Sequence, residues 1–274
     1  MNILSRYEPI LVVDIGNTNI VCAIYRQGKS VWTVRLKSCQ DRTSDEYYVL
    51  LSELMASSSS SEDIIPTLKD IRYIALGSVV PELTRVWKHL FGKYFSAEVY
   101  EINALSPLGI SFRVDNPSFI GADLIANAYA AWQKYEKSCL IIDLGTATTI
   151  ELISDIGMFE GAVIAPGMKT AAENLFSKAA QLYEIELVPP SALLGINTSE
   201  AMLSGIVNGH SFMLTAFIAK IKEQYPVLKP IQTVLTGGMA SLVNPFVQGV
   251  DVIDKGLTLD GFYLALGKIL NYQQ

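Results

Sequence analysis

The chain has 274 residues, 50% of them hydrophobic and 18% charged, which is enough apolar material for one large core or two ordinary ones and excludes disorder. Its formal net charge of −6 and pI near 5.0 exclude a nucleic-acid face, because binding a phosphate backbone needs clustered Lys and Arg. The expected partners are small molecules and further copies of the chain, with no nucleic acid and no membrane; Asp143 interrupts the longest apolar candidate and no basic region precedes an apolar signal core, so a cytoplasmic protein is expected.

In chain order, apolar runs at 10–15, 19–25 and 31–36 predict an antiparallel meander with a turn at Gln27-Gly28. A helix is expected from about Thr43, capped by Thr43 or Ser44, with Tyr47, Leu50, Leu51 and Leu54 on one face, and Ser57–Ser61 as a polar loop. A strand at 71–76, a helix from Pro81 to Phe91 and a strand at 97–102 complete the first half. The second half repeats this grammar. It has strands at 139–143, 147–154 and 158–164, a helix from Lys169, a long helix near Glu200–Gln224, a strand at 231–235 and a last helix from Leu257. Two related domains, 1–125 and 126–274, are expected, with a hinge near 115–135.

Each half carries a copy of one short motif. Asp14-Ile15-Gly16-Asn17-Thr18 and Asp143-Leu144-Gly145-Thr146-Ala147 lie 129 residues apart, each at the carboxyl end of a buried β-rich run and ahead of a second run. A glycine two residues after the aspartate permits a tight turn and lets a phosphate approach backbone amides. Asn17, Thr18, Thr146, Thr148 and Thr149 add neutral donors. An aspartate repels phosphate, so its role there is to hold a cation or its water shell. Asp123 begins an Ala-rich helix read as Leu124–Tyr135, where the positive helix end stabilises a carboxylate and keeps its pKa low. Spacing alone leaves two roles open for it, catalysis and helix capping.

The ordering of two meander domains, each with a phosphate loop between its first two strands, resembles the sugar kinase, heat-shock ATPase and actin superfamily. Seven words in order resemble one family within it, the type III pantothenate kinases: Asp14 to Ile20, Arg113 to Pro117, Gly121-Ala122-Asp123, Asp143 to Thr149, Gly161 to Gly167, Asn197-Thr198 and Thr236-Gly237-Gly238. The resemblance implies an α/β fold of two duplicated ribonuclease-H-like, actin-like domains, each a mixed β-sheet flanked by helices, with nucleotide in the interdomain cleft. It implies ATP-dependent phosphorylation of pantothenate to 4′-phosphopantothenate, with Mg²⁺ and with K⁺ or another monovalent cation. Mapped by motif, Asp14, Ile15, Gly16, Asn17, Thr18 and Asn19 hold the nucleotide phosphates with Asp14 near Mg²⁺, Thr146 contacts phosphate, and Asp143 is the monovalent-cation ligand. The resemblance further implies that Asp123 is the base that receives the hydroxyl proton, that Gly121, Ala122, Asp123 and Leu124 lie at the acceptor, and that Thr198 is an acceptor contact donated across a homodimer with a shared site.

The chain departs from the family's usual Gly-Ala-Asp-Arg at one position, where it has Leu124. Leucine cannot make the paired hydrogen bonds by which arginine clamps a carboxylate. The alternative reading is a nucleotide-binding regulatory or accessory paralogue with altered acceptor specificity, and Arg113 is a second candidate for a positive contact. Other signals are set aside. Gly28-Lys29-Ser30 lacks the earlier glycine of a P-loop, His89 and His210 lack partners at metal or triad spacing, and Cys22, Cys39 and Cys139 show no C-x-x-C pattern. Gly237 and Gly238 suit either a contact with adenine or ribose or an ordinary turn, and Trp32, Trp87 and Trp132 read as core or interface aromatics.

Overall fold

The computed structural model describes residues 6–58, 67–179 and 181–272. The loop expected over Ser57–Ser61 lies outside the described residues from position 59 onward. In chain order the elements are β1 (Ile10–Ile15), β2 (Asn19–Arg26), β3 (Lys29–Lys37), α1 (Ser44–Ser57), β4 (Tyr73–Ser78), α2 (Pro81–Tyr94), β5 (Glu98–Glu101), β6 (Ser111–Phe112) and α3 (Ala122–Tyr135). There follow β7 (Ser138–Leu144), β8 (Ala147–Ile153), β9 (Met158–Pro166), α4 (Met168–Lys178), α5 (Thr198–Leu203), α6 (Gly209–Gln224), β10 (Ile231–Thr236), α7 (Ala240–Val243), β11 (Val252–Ile253) and α8 (Leu257–Tyr272).

Two sheets form. The first has the order β3-β2-β1-β4-β5, and the second, taken from β9, has β9-β8-β7-β10-β11 with β6 added outside β9. The halves therefore repeat one topology, in which the first strand is antiparallel to its hairpin partner and parallel to the strand after the first crossover. Asp14 and Asp143 occupy the same register: Asp14 lies between Val21 and Gly77, and Asp143 between Thr149 and Thr236.

In the first sheet, Leu11, Val13, Ile15, Ile20, Cys22 and Ile24 alternate onto one face and pack with Tyr47 and Leu51 of α1 and Leu83, Trp87 and Leu90 of α2. Thr43 caps α1 with a reciprocal Glu46 bond, and Pro81 starts α2, as the sequence predicts. The Gln27-Gly28 turn has φ of 54° and 74°, and the Glu8 carboxylate accepts from both amides. In the second sheet, Leu140, Ile142, Leu144, Ile150 and Leu152 pack with Val207, Leu214 and Ile218.

One compact unit consists of Met1–Leu108, Asn116–Ala130 and Thr258–Gln274, and the other of Gly109–Asp115 and Ala131–Leu257. These limits differ from a division at 125/126, and specific contacts account for it. The Tyr263 ring of α8 stacks on Tyr25 at 4.5 Å, Tyr25 donates to Asp260 at 2.5 Å, Tyr263 donates to Glu8 at 2.7 Å, and a Cβ at Gly77 would overlap Phe262. The C-terminal helix thus belongs to the first unit. Residues 109–115 join the second because β6 pairs with β9. Within the span expected to hinge, residues 122–135 are one continuous helix.

The long helix expected near Glu200–Gln224 is interrupted. Between α5 and α6, Ser204–Asn208 forms a π turn in which Ser204 Oγ donates to Leu193 O at 2.5 Å and Asn208 Nδ2 to Ser204 Oγ at 3.0 Å. Among the described residues, the helical run Thr198–Gln224 is long and apolar enough to cross a membrane by length and composition. Met202, Val207, Leu214 and Ile218 on it are buried in this unit.

Candidate functional site

In the first unit, β1 is buried except for the half-buried Asp14, the residue before its last, and beyond the strand Asn17 and Thr18 are exposed. The turn is closed by Gly16 N donating to Asn19 O at 3.0 Å, and a Cβ at Gly16 would come within 3.1 Å of that oxygen. Ser38, just after β3, fixes the other side: its hydroxyl donates to Gly16 O at 2.6 Å and its amide to Thr18 O at 3.0 Å. With these carbonyls drawn toward Ser38, the exposed flank of the loop is left for an anion. Burial, with the nearby Asp14 charge added, pushes the Cys22 thiol up, so this cysteine is a core residue rather than a nucleophile.

Asp123 stands in the first turn of α3 in the same unit. Its position at the carboxyl end of β4 follows from Gly121, whose Cβ would lie 3.3 Å from Val79 and would overlap the Asp123 carboxylate. Val79, in turn, donates to Ile15 O at 3.0 Å, so Asp123 and the Asp14 loop lie at the same end of β1 and β4. The expectation of a depressed pKa is corrected here. Burial raises the Asp123 carboxyl above the usual aspartate value, and the bond from Leu124 N at 2.9 Å offsets only part of that. Ala122 and Leu124 are buried beside it.

In the second unit, Gly145 N donates to Ala147 O at 3.0 Å, closing the second turn as Gly16 closes the first. The Thr146 carbonyl is held by Gly167 N at 3.0 Å and Thr170 Oγ1 at 2.7 Å, at the start of α4. Gly145 itself would tolerate a Cβ in ordinary contact, whereas one at Gly167 would overlap the Gly145 and Thr146 carbonyls. Gly237, at φ 91°, would place a Cβ 2.5 Å from both Asp143 Oδ1 and Leu144 N. The glycine requirement of the second loop therefore lies in the segments that clamp it. Gly237 sits against Asp143, while Gly238 faces open space. By register Asp143 shares a sheet face with Thr149 and Thr236.

His210, which spacing leaves without a partner, accepts or donates at Nε2 to Thr148 Oγ1 at 2.9 Å, and burial lowers its pKa. It also lines a cavity of about 960 Å³ with Met168, Thr198, Met202 and Met213. Thr198 begins α5 behind Asn197, whose Oδ1 accepts from Glu200 N at 3.0 Å. Leu194 and Ile196 beside it are strongly exposed, at 85% and 92%. Arg113 is paired with Glu160 at 3.0 Å within this unit, so its charge is already engaged. Of the remaining residues set aside, His89 bonds Ser44 Oγ at 2.9 Å on an exposed helix face, and Cys139, pushed up to about 12, is buried.

Among the described residues, no three His, Cys, Asp or Glu side chains gather as a metal cage. Single carboxylates beside loops suit an ion that keeps water and phosphate ligands, as Mg²⁺ does. Asp14 to Asn19 and Gly121 to Leu124 thus belong to one unit, and Asp143, Thr146 and Thr198 to the other, where Thr198 and His210 line the same cavity.

The profile of the type III pantothenate kinases matches residues 10–220. The chain belongs to this family. Type III pantothenate kinases from Geobacter sulfurreducens and Desulfatibacillum aliphaticivorans are 34% and 33% identical to it, over 92% and 96% of this chain and 96% and 99% of theirs. The fold is shared more widely. A proposed 2-dehydro-3-deoxygalactonokinase from Sinorhizobium meliloti has a TM-score of 0.56 at 13% identity, covering 95% of this chain and 99% of that one. A proposed Baf family transcriptional activator from Campylobacter jejuni has a TM-score of 0.55 at 18% identity, with the same coverage of 95% and 99%. These neighbours share the fold of two mixed sheets of repeated topology.

Proposed function

We propose that this protein transfers the γ-phosphoryl group of ATP to the hydroxyl of pantothenate, the first committed step toward coenzyme A. Family membership supports the reaction, and the observation that carries its chemistry here is the repeated register of Asp14 and Asp143, each at a closed glycine turn. The pantothenate oxygen attacks the γ-phosphorus, the bond to the ADP oxygen breaks, and the hydroxyl proton passes to Asp123. Positioning and charge neutralisation lower most of the barrier in a loose transition state, so Asp123 acts chiefly by orienting the hydroxyl. Its raised pKa makes it the stronger base once ionised.

Asp14 to Asn19 and Thr146 bind the phosphates in this reading. Asp14 would hold Mg²⁺, which would supply neutralisation of phosphate charge, and Asp143, flanked in register by Thr149 and Thr236, would hold K⁺ or another monovalent cation. Thr198 is offered to the acceptor by a second copy of the chain. Its place on a cavity lined by the exposed Ile196, with exposed Leu194 two residues earlier, supports a homodimer, since exposed apolar patches mark association surfaces. The free cysteines and the acidic charge accord with a cytoplasmic enzyme without nucleic-acid partners, and Thr198–Gln224 is read as a helical run that packs Val207, Leu214 and Ile218 into the core of its unit. A coupled ADP-release assay with ATP, Mg²⁺, K⁺ and pantothenate tests the reaction; ADP release independent of pantothenate contradicts it.

Leu124 favours a second reading, a nucleotide-binding accessory protein. It buries an apolar side chain where the family usually has arginine. Calorimetry showing nucleotide binding without pantothenate binding selects that reading, and turnover restored by Leu124→Arg identifies the lesion.

A further inference from the structure

Two cations flank the first loop outside either phosphate motif. In β3, Trp32, Val34 and Leu36 face the α1–α2 core, so Thr33, Arg35 and Lys37 line the opposite, exposed face. Register fixes what they stand beside. Arg35 pairs with Val21, which pairs with Asp14, and Lys37 pairs with Asn19 at the end of the glycine loop. Arg35 and Asp14 therefore share one sheet face two strand spacings apart, about 10 Å. The end of β3 is also tied to the loop through Ser38, which holds the Gly16 and Thr18 carbonyls.

Four other cations of this unit are engaged: Lys93 with Asp45, Lys88 with Glu101, Arg85 with Glu82, and Arg72 with the Lys69 carbonyl. Arg35 and Lys37 make no ion pair among the described residues. In a chain of net charge −6, two exposed, unengaged cations on the face of a phosphate loop call for an anionic partner. We infer that Arg35 and Lys37 bind the terminal phosphates of the nucleotide, Arg35 as a forked donor and Lys37 as a point charge at the loop mouth. This deepens the kinase reading and rests on nucleotide binding at the first loop. Their charge also offsets the repulsion between the Asp14 carboxylate and the incoming polyphosphate.

The test is titration calorimetry of the full-length protein with ADP, beside steady-state kinetics, for wild type, Arg35→Gln, Lys37→Gln, Arg35→Lys and, at the far end of β3, Lys29→Gln. Arg35→Gln is expected to weaken ADP and raise the KM for ATP about tenfold, with a smaller effect for Lys37→Gln and partial retention in Arg35→Lys. Lys29→Gln and the KM for pantothenate are expected to stay unchanged. Because both side chains are exposed, melting temperatures should match wild type. Unaltered ADP binding in Arg35→Gln and Lys37→Gln, or a rise confined to the KM for pantothenate, overturns the inference. Wild type that binds no ADP overturns the kinase reading itself.

Discussion

The Asp123 carboxylate occupies the space that a side chain at Gly121 would need. The carboxylate and the Val79 side chain bound that space, so the residue two positions before the proposed base sets where the base stands. Gly121→Ala leaves the backbone unstrained but pushes the carboxylate aside. We expect kcat to fall about 10- to 100-fold with ADP affinity unchanged, measured by steady-state kinetics and calorimetry.

Asp123 links activity and stability in opposite directions. Its folded pKa is raised by burial, so between the unfolded and folded values the native state binds more protons than the unfolded state. Its contribution is therefore full below the unfolded pKa and lost as pH rises through the folded one. Asp123→Asn is expected to melt higher than wild type at pH 7 while losing about 100-fold or more in kcat, and the acid limb of wild-type kcat/KM should lie above the ordinary aspartate value. Calorimetric melting beside a pH-rate profile checks both signs.

Gly237 bears on the second loop alone. A Cβ there meets Asp143 Oδ1 and Leu144 N at 2.5 Å, and the φ of 91° strains any other residue. Gly237→Ala should cost about 1–3 kcal/mol of stability in denaturant melts and weaken monovalent-cation activation, whereas Gly238→Ala, which meets nothing, should do neither.

His210 has its pKa lowered by burial, so the unfolded state binds the proton more readily. The stability it confers is present above the unfolded histidine pKa and is lost as pH falls through the folded one. The melting temperature of wild type should drop more steeply on acidification below about pH 6.5 than that of His210→Gln.

Much of the fold was legible because it is local. The hairpins, the succession of strands and helices marked by apolar runs, the Thr43 cap and Pro81 all announce themselves within a few residues. What escaped depends on distant contacts. The allegiance of α8 is decided by Tyr263 against Tyr25, more than two hundred residues away, and β6 and β11 have two residues each, too few for any period. The site divides in the same way. Asp14, Asp123 and Asp143 stand in recognisable words, but the helix-end reading of Asp123 missed its burial, and the glycines that clamp the second loop, 167 and 237, lie in segments remote from it.

The most direct measurement is mass-spectrometric detection of 4′-phosphopantothenate after incubating the purified full-length protein with ATP, Mg²⁺, K⁺ and pantothenate. Product forming in step with ADP, and nearly abolished in Asp123→Asn, is the predicted result. Absence of product in wild type that binds ATP, or full product formation by Asp123→Asn, contradicts the account.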